Sequence, residues 1–387
     1  MGSQFTNAPS AISQKRTTLE APALRNFVER IPIVPPSEFG EELERLGYKG
    51  QEHQRAMLSL MAYRHVRRLK QIHLEGIPRD KLPPKQNMLI LGPTGCGKTY
   101  LVELLFGKLL GVPTLITDST CLTESGYVGD NVKSLLVQLI IKANQVISIA
   151  KCGVICMDEF DKLAGASTNA RFSGAGTSKD VSGYGVQREL LTMIGGSDLR
   201  LPNDSGAAGT QIATYDIPFV ACGAFSGLED IKSQQGKRIG FDQPADAPTE
   251  EQRLPEAALF QRYGFIPELI GRFTSVLQFP PLNRGTLKTI LTDNILPQFQ
   301  HEFQTEGISL SVTDAALEHI AIQAEVRQTG ARGLHTELVA ILEQSAFSLF
   351  MQNRQTSLNV TLKNNRLTAS VAGTRKRTII KPAAVSA

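Results

Sequence analysis

The chain has 387 residues, of which 41% are apolar and 20% charged, a size and balance that fit one large globular domain with a smaller companion. Its 41 basic and 37 acidic residues leave a formal charge of +4, which gives no general case for binding nucleic acid or a membrane surface. No apolar run approaches the roughly 20 residues that span a bilayer, and the N-terminus lacks the apolar stretch of a signal peptide.

The first forty residues are rich in Ser, Thr, Pro and Ala and end in IPIVPPSEFG, predicting an extended or mobile arm over 1–40. Residues 41–69 carry a helical pattern broken at 47–50, with Met57, Leu58, Met61, Val66 and Leu69 on the apolar side. NMLIL at 87–91 predicts a strand, GPTGCGKT a glycine loop, and TYLVELLFGKLLG a helix ended by Gly111. PTLIT predicts another strand. A helix follows from Asp130 to about Ala150, with Val132, Leu135, Leu136, Leu139 and Ile140 on one face, and then a buried strand at GVICM.

Residues 164–185 and 195–211 turn to small and polar side chains and predict surface loops. IPFVACGAF at 217–225 is a further core strand; beyond Pro281 the pattern becomes mostly helical, with short strands at ISLSV, SLNVTL and LTASV. Strands alternating with helices predict an α/β domain built on a parallel sheet over 41–281. A smaller α-rich domain is expected over 282–372 and a basic tail over 373–387. The five cysteines, Cys96, Cys121, Cys152, Cys156 and Cys222, form no CxxC pair and no zinc-type spacing, so they read as reduced thiols of a cytosolic, cytoplasmic protein.

GPTGCGKT, that is Gly92, Pro93, Thr94, Gly95, Cys96, Gly97, Lys98 and Thr99, matches G-x-x-x-x-G-K-[ST] and lies between a predicted strand and a predicted helix. Backbone amides of such a loop cradle phosphate oxygens, Lys98 reaches the outer phosphates of ATP, and Thr99 holds Mg²⁺. Some sixty residues on, GVICMDEFDK sets Asp158 and Glu159 at the C-terminal end of an apolar strand, where ligands of parallel sheets bind. Asp158 would hold the hydrated Mg²⁺ and Glu159 would polarise the attacking water, since phosphoryl transfer needs positioning and charge more than covalent help.

With these motifs the chain resembles the hexameric AAA+ protein unfoldases of the Clp/Hsp100 family, and within them the ClpX type. The resemblance runs from about Gly50 to about Leu342, through GQEHQRAM, GPTGCGKT, LTESGYVGDNV, MDEFDKLAG, KDVSGYGVQRELL, CGAFSGLE, RIGF, GFIPELIGRF and TGARGL in that order. It implies an AAA+ P-loop NTPase large domain with a parallel sheet and a smaller, mostly helical lid domain. Gly50 and Gln51 would then lie by the adenine. Arg272 in PELIGRF resembles the arginine finger that reaches the ATP of a neighbouring subunit, and Arg332 in TGARGL resembles the second sensor arginine. A helix C-terminal cation and a turn residue are the alternative readings of these two arginines.

ESGYVGDN mounts Tyr127 between glycines, which cannot hold an aromatic firmly in a core. In the family, Gly126, Tyr127, Val128 and Gly129 would line the axial pore and grip a protein substrate; the alternative is a tyrosine packed in a turn. Tyr184, between Gly183 and Gly185, matches the second pore-facing region. Ile239, Gly240 and Phe241 resemble the tripeptide that docks into a ClpP-type peptidase ring, an apolar pair in a polar loop. A non-docking loop is the alternative there.

Three departures accompany the resemblance. No four-cysteine zinc module precedes Gly40, the entrance region near 197–214 has only Arg200 in place of a basic cluster, and CGAFSGLE puts Ser226 where a sensor Asn or Thr is common. The predicted function is therefore an ATP- and Mg²⁺-dependent unfoldase acting as a homo-oligomer, a hexamer, on proteins with changed substrate choice. The alternatives are a stand-alone remodeller of protein complexes and an AAA+ nucleic-acid motor, for which the tail TRKRTIIK is the support; neither membrane nor nucleic acid is the expected partner.

Overall fold

Three apolar runs are buried along almost their whole length and two only in part, and that difference orders the main sheet. The computed structural model describes residues 11–123, 130–165, 183–201, 211–233, 256–350 and 354–376. Its main sheet comprises β1 (Met88–Leu91), β2 (Thr114–Asp118), β3 (Val154–Asp158), β4 (Phe219–Gly223) and β5 (Ser275–Gln278). The order is β2-β3-β4-β1-β5 and every pairing is parallel. The inner strands β1, β3 and β4 are almost continuously buried, whereas β2 and β5 form the edges and keep partly exposed positions. A parallel strand covered on both faces reads as an unbroken apolar run, which is why VICM and FVACG are conspicuous in the sequence.

The chain divides into two compact units. The first comprises Met1–Leu43, Glu52–Gly92 and Lys98–Phe279; the second comprises Glu44–Gln51, Pro93–Gly97 and Pro280–Ala387. The sequence places one boundary after residue 281, whereas the second unit also takes two short segments from earlier in the chain.

In the first unit the expected arm contains a helix, α1 (Ala11–Arg30), with Val28 and Ile31 buried. The polar composition and Pro22 hide this helix from the pattern. Lys70 Nζ donates to the carbonyls of Val28 and Glu29, each at 3.1 Å, satisfying the last carbonyls that a helix leaves open. Helices α2 (Phe39–Arg45) and α3 (Glu52–His73) are separated by the expected break, where Gly47 and Gly50 are left-handed, φ 90° and 71°.

After the glycine loop, α4 (Lys98–Val102) widens into a π-helical stretch, Glu103–Leu109, and ends before Gly111 at φ 65°. Helix α5 (Ser134–Lys142) buries Leu135, Leu136, Leu139 and Ile140 but stops eight residues short of the predicted end. Asn144 and Gln145 both adopt left-handed backbone, φ 53° and 64°, which no right-handed helix accommodates; a short turn, Ile147–Ala150, follows. The remaining helices used below are α6 (Gly183–Gly195), α7 (Glu256–Tyr263) and α8 (Pro267–Ile270).

The second unit begins its main run with α9 (Arg284–Ile290), capped by Asn283 Oδ1 accepting from Thr286 N at 2.8 Å. A π-helical turn, Leu291–Ile295, leads into α10 (Leu296–Thr305), followed by β6 (Ile308–Val312), α11 (Asp314–Val326) and α12 (Gly330–Leu349). Strands β7 (Arg354–Lys363) and β8 (Arg366–Lys376) form an antiparallel hairpin, and β6 pairs with β7 in parallel. The hairpin turns on Asn364 and Asn365, φ 48° and 61°, the handedness that matches strand twist. All three short strands predicted here are present.

Candidate functional site

The glycine loop leaves β1 at Gly92, whose φ is +151°, and a Cβ there would fall 2.6 Å from the Phe279 carbonyl oxygen. Only glycine fits so close an approach. Lys98 is buried at the start of α4, and its Nζ donates to the Gly92 carbonyl at 2.6 Å across the loop. One turn of backbone thus holds the ammonium over the loop.

Thr99, the next residue, donates from Oγ1 to Asp158 Oδ2 at 2.7 Å. The loop's last hydroxyl and the carboxylate at the end of β3, 59 residues apart in sequence, therefore meet directly. Asp158 Oδ1 accepts from the Glu159 amide at 2.9 Å. Glu159 has left-handed backbone, φ 52°, and an exposed side chain. A non-glycine residue held there costs of order 1–3 kcal/mol, and such strain clusters at functional sites. Its effect is to turn two consecutive carboxylates apart: Asp158 faces Thr99, and Glu159 faces outward.

A hydroxyl beside a single carboxylate is a hard-oxygen set suited to Mg²⁺, which keeps several waters and takes its other oxygens from phosphates. Among the described residues no group of three or more His, Cys, Asp or Glu side chains could hold a metal ion.

The middle of the loop, Pro93–Gly97, belongs to the second unit. At Gly95, φ +75°, a Cβ would fall 2.4 Å from the Thr329 carbonyl oxygen, and the Gly95 carbonyl accepts from the Ala331 amide at 2.9 Å. Gly97, φ +91°, lies against the Tyr48 ring, whose hydroxyl donates to the Gly97 carbonyl at 3.4 Å. A cavity of about 310 Å³ opens beside the loop, walled by Thr94, Cys96, Leu282, Leu287, Ala324 and Gln328 among others. Gly50 packs against Thr286, and Gln51 Nε2 donates to the Pro280 carbonyl at 2.8 Å; neither residue lines that cavity.

Arg272 follows α8 and is exposed, its guanidinium lying over Gly195 at the end of α6, where a Cβ would fall 3.5 Å from Cζ. Among the described residues it has no acidic partner in ion-pair range. Arg332 is exposed in the first turn of α12. Tyr184 is half-buried in the first turn of α6, its ring packed on Gly165. Gly126, Tyr127, Val128 and Gly129, and likewise Ile239, Gly240 and Phe241, lie outside the described residues.

Sequence reasoning passes over three features around these groups. Gln187 is completely buried: its Nε2 donates to the carbonyls of Leu163 at 2.7 Å and Gly264 at 3.1 Å, and its Oε1 accepts from the Ile266 amide at 2.8 Å. One side chain thus joins α6 to the segment after Glu159 and to the segment that leads to Arg272. The available signal is a glutamine on an apolar helical face, three and seven residues before Leu190 and Ile194. Asp161, also buried, accepts from the Ala224 amide at 3.1 Å and ties the end of β3 to the end of β4. Phe160 stacks on Phe265 at 5.3 Å and meets Phe273, the neighbour of Arg272, edge-on at 5.6 Å. At the predicted sensor position the buried group is Phe225, left-handed at φ 50°, while Ser226 is exposed.

The family described as AAA domain (Cdc48 subfamily) matches residues 83–276, and the C-terminal, D2-small domain of ClpB protein matches residues 282–361. The "ATP-dependent Clp protease ATP-binding subunit ClpX" of Azotobacter vinelandii is 37% identical over 334 residues, covering 81% of this chain and 74% of that protein. ClpX 3 of Methylococcus capsulatus is 36% identical, over 79% and 74% of the two chains. ClpX 2 of Wolinella succinogenes is 33% identical, over 86% and 82%. No described helix is long and apolar enough to cross a membrane. With a phosphate loop bonded to an acidic strand end, and with ClpX proteins matching it across both units, this nucleotide-binding chain belongs to the AAA+ family as an ATPase and ATP-dependent unfoldase of the ClpX type.

Proposed function

We propose that six copies of this chain form a ring that uses ATP and Mg²⁺ to thread polypeptides through its axial pore and feeds them to a ClpP-type peptidase. The observation that carries this reading is the Thr99–Asp158 bond at 2.7 Å with Glu159 turned outward beside it. It is the arrangement that positions a nucleotide and a water for in-line attack.

In this mechanism the loop amides and Lys98 would hold the phosphates, and Thr99 and Asp158 would hold a Mg²⁺ ion, whose contribution when bound would be charge stabilisation of the phosphate oxygens. Glu159 orients and polarises the attacking water. Arg272 acts on the nucleotide of the neighbouring copy, a contribution worth ~10³ to 10⁵ in rate where such groups have been measured, and Arg332 senses the phosphates. Gly50 and Gln51 flank the base. Tyr127, on its glycine mount, grips the translocating chain by a broad amphipathic surface that does not select sequence, and Tyr184 is a second contact. Ile239, Gly240 and Phe241 dock the peptidase.

The test is ATP-dependent loss of fluorescence from a tagged fluorescent protein, with a ClpP-type peptidase added, for the parent and for Tyr127→Ala, Phe241→Ala and Glu159→Gln. Unfolding that needs Tyr127 and Glu159, and peptide release that also needs Phe241, supports the whole reading. Glu159→Gln should cut hydrolysis by about 10²- to 10⁴-fold while nucleotide still binds. ATP hydrolysis with unfolding but no peptide release in the parent would leave a remodeller that works without a peptidase.

A further inference from the structure

The first unit contains a cavity of about 670 Å³ between α3 and residues 81–86. Five of the residues that line it are cations: Arg64, Arg67, Arg68, Lys81 and Lys85; no carboxylate lines it. Its apolar walls come from Tyr63, Leu82, Pro83 and Pro218 among others. None of these residues takes part in the nucleotide site described above.

The positive charge is only partly balanced from behind. Asp216, buried, accepts from Arg68 at 3.2 Å and from Arg79 at 2.7 Å, so one carboxylate serves two guanidinium groups. Arg67 pairs with Glu75 at 3.1 Å. Arg64 and Lys81 have no acidic partner among the described residues, and Arg68 Nε is buried without a hydrogen-bond partner. Lys85 is only 9% exposed; its Nζ donates to the Thr214 carbonyl at 2.7 Å and lies 4.7 Å from the centre of the Phe219 ring. Burial pushes its pKa down to about 7. Two of the five cations, Arg68 and Lys85, are largely withdrawn from water while Arg64, Arg67 and Lys81 stand exposed at the cavity, and an anion that enters it offsets their charge.

We infer that this cavity is a binding site for a small anion, a phosphate- or carboxylate-bearing molecule with an apolar body. Arg64, Lys81 and Arg68 meet the charged head, and Tyr63, Leu82 and the prolines cover the body. The volume lies in the range of small-molecule sites, which are mostly apolar with a few placed polar groups. An anion there also favours the charged form of Lys85. The charged groups that act on Lys85 are Asp216 before β4 and Arg68 from α3; at pH 8 the neighbouring His65 is neutral, so proton uptake reports on Lys85.

The experiment is calorimetric titration of the full chain with phenyl phosphate, benzoate and inorganic phosphate, at pH 8, with saturating ADP and Mg²⁺ to occupy the glycine loop. The expected result is one site for phenyl phosphate or benzoate, at least about tenfold tighter than inorganic phosphate because the apolar body is buried. Heat should vary with the ionisation enthalpy of the buffer, as proton uptake requires, and Lys85→Met should abolish that variation. The double variant Arg64→Ala with Lys81→Ala, both exposed positions, should weaken binding on the order of tenfold or more and leave basal ATP hydrolysis unchanged. No binding of phenyl phosphate or benzoate at millimolar concentration, equal binding by the double variant, or binding seen only without ADP would overturn the site. Binding of hexaglutamate in preference to all three probes would overturn the small-molecule class in favour of an acidic peptide.

Discussion

The two ends of the main sheet hold their polar groups in different ways. At the C-terminal ends of the strands, Thr99, Asp158 and Glu159 are fixed by a few short bonds and by unusual backbone, left-handed at both Glu159 and Phe225. At the N-terminal ends, polar side chains are buried and bonded to strand backbone. Asn87 takes the Phe219 amide at 3.0 Å and gives to the Arg272 carbonyl at 3.0 Å, while His65 Nε2 bonds the Cys152 carbonyl at 2.9 Å. The first arrangement leaves its carboxylates available for chemistry, and the second spends its groups on joining strands. Ligands of parallel sheets gather at the first kind of edge, whereas the basic cavity opens at the second.

The largest effect expected from breaking this pattern is at Gln187, a completely buried amide that works on the C-terminal side. Gln187→Leu strands the Leu163 carbonyl and the Ile266 amide and leaves the Gly264 carbonyl with the Gly165 amide alone, at about 1–3 kcal/mol for each unsatisfied group. A loss of about 4 kcal/mol and a fall in Tm on the order of 10 °C should follow for a unit of this size. Urea and thermal unfolding measure both. A variant as stable as the parent would mean that α6 and the segment before Arg272 are held by the phenylalanine cluster alone.

What could be read from the sequence divides along the same line. The glycine loop, the acidic pair and the inner strands are local: their residues are neighbours in the chain, and their chemistry is fixed by spacing. Gln187 and Asp161 act through carbonyls and amides 24 to 79 residues away, so no window of sequence contains their partners. Helix α1 is not legible in the sequence because polar composition and Pro22 outweigh the few apolar side chains, such as Val28, that it buries. The end of α5 was overrun because Gln145, unlike glycine, gives no warning that it will turn left-handed. The cavity could not be foreseen at all, since Arg64, Arg67 and Arg68 of α3 become part of an enclosure only when residues 81–86, with Lys81 and Lys85, fold across them.

A middle-sized effect is expected at His65, where burial holds the pKa down to about 4 from an ordinary 6.5. The folded protein then binds fewer protons than the unfolded chain between those values, so stability falls as pH falls from about 6.5 and the loss is complete below about 4. The shift corresponds to about 3 kcal/mol. Lys85 acts in the same sense at higher pH: its lowered pKa makes stability rise as pH climbs from about 7 towards 10.5. His65→Gln retains a donor for the Cys152 carbonyl and removes the titration, so denaturation midpoints between pH 4 and 6.5 should flatten. An unchanged slope would assign the acid sensitivity of this edge to other groups.

The smallest effect is expected at Arg67, and it is set against its neighbour on α3, Arg68, which carries the same charge. Arg67 is 45% exposed and pairs with Glu75, itself 40% exposed; Arg68 is 12% exposed and pairs with Asp216, 5% exposed. An exposed pair of this kind gains little Coulomb energy in water and costs side-chain entropy, so Arg67→Ala should change stability by no more than about 0.5 kcal/mol and less in high salt. Arg68→Ala instead leaves Asp216 to Arg79 alone and removes the donor to the Pro83 carbonyl, and about 2–4 kcal/mol is expected. Equal losses in urea denaturation at low and high salt would contradict this division, because they would make the N-terminal edge a diffuse field of positive charge. Unequal losses would locate its stability in the buried Asp216 cluster and leave the outer cations, Arg64 and Lys81, available to an anion.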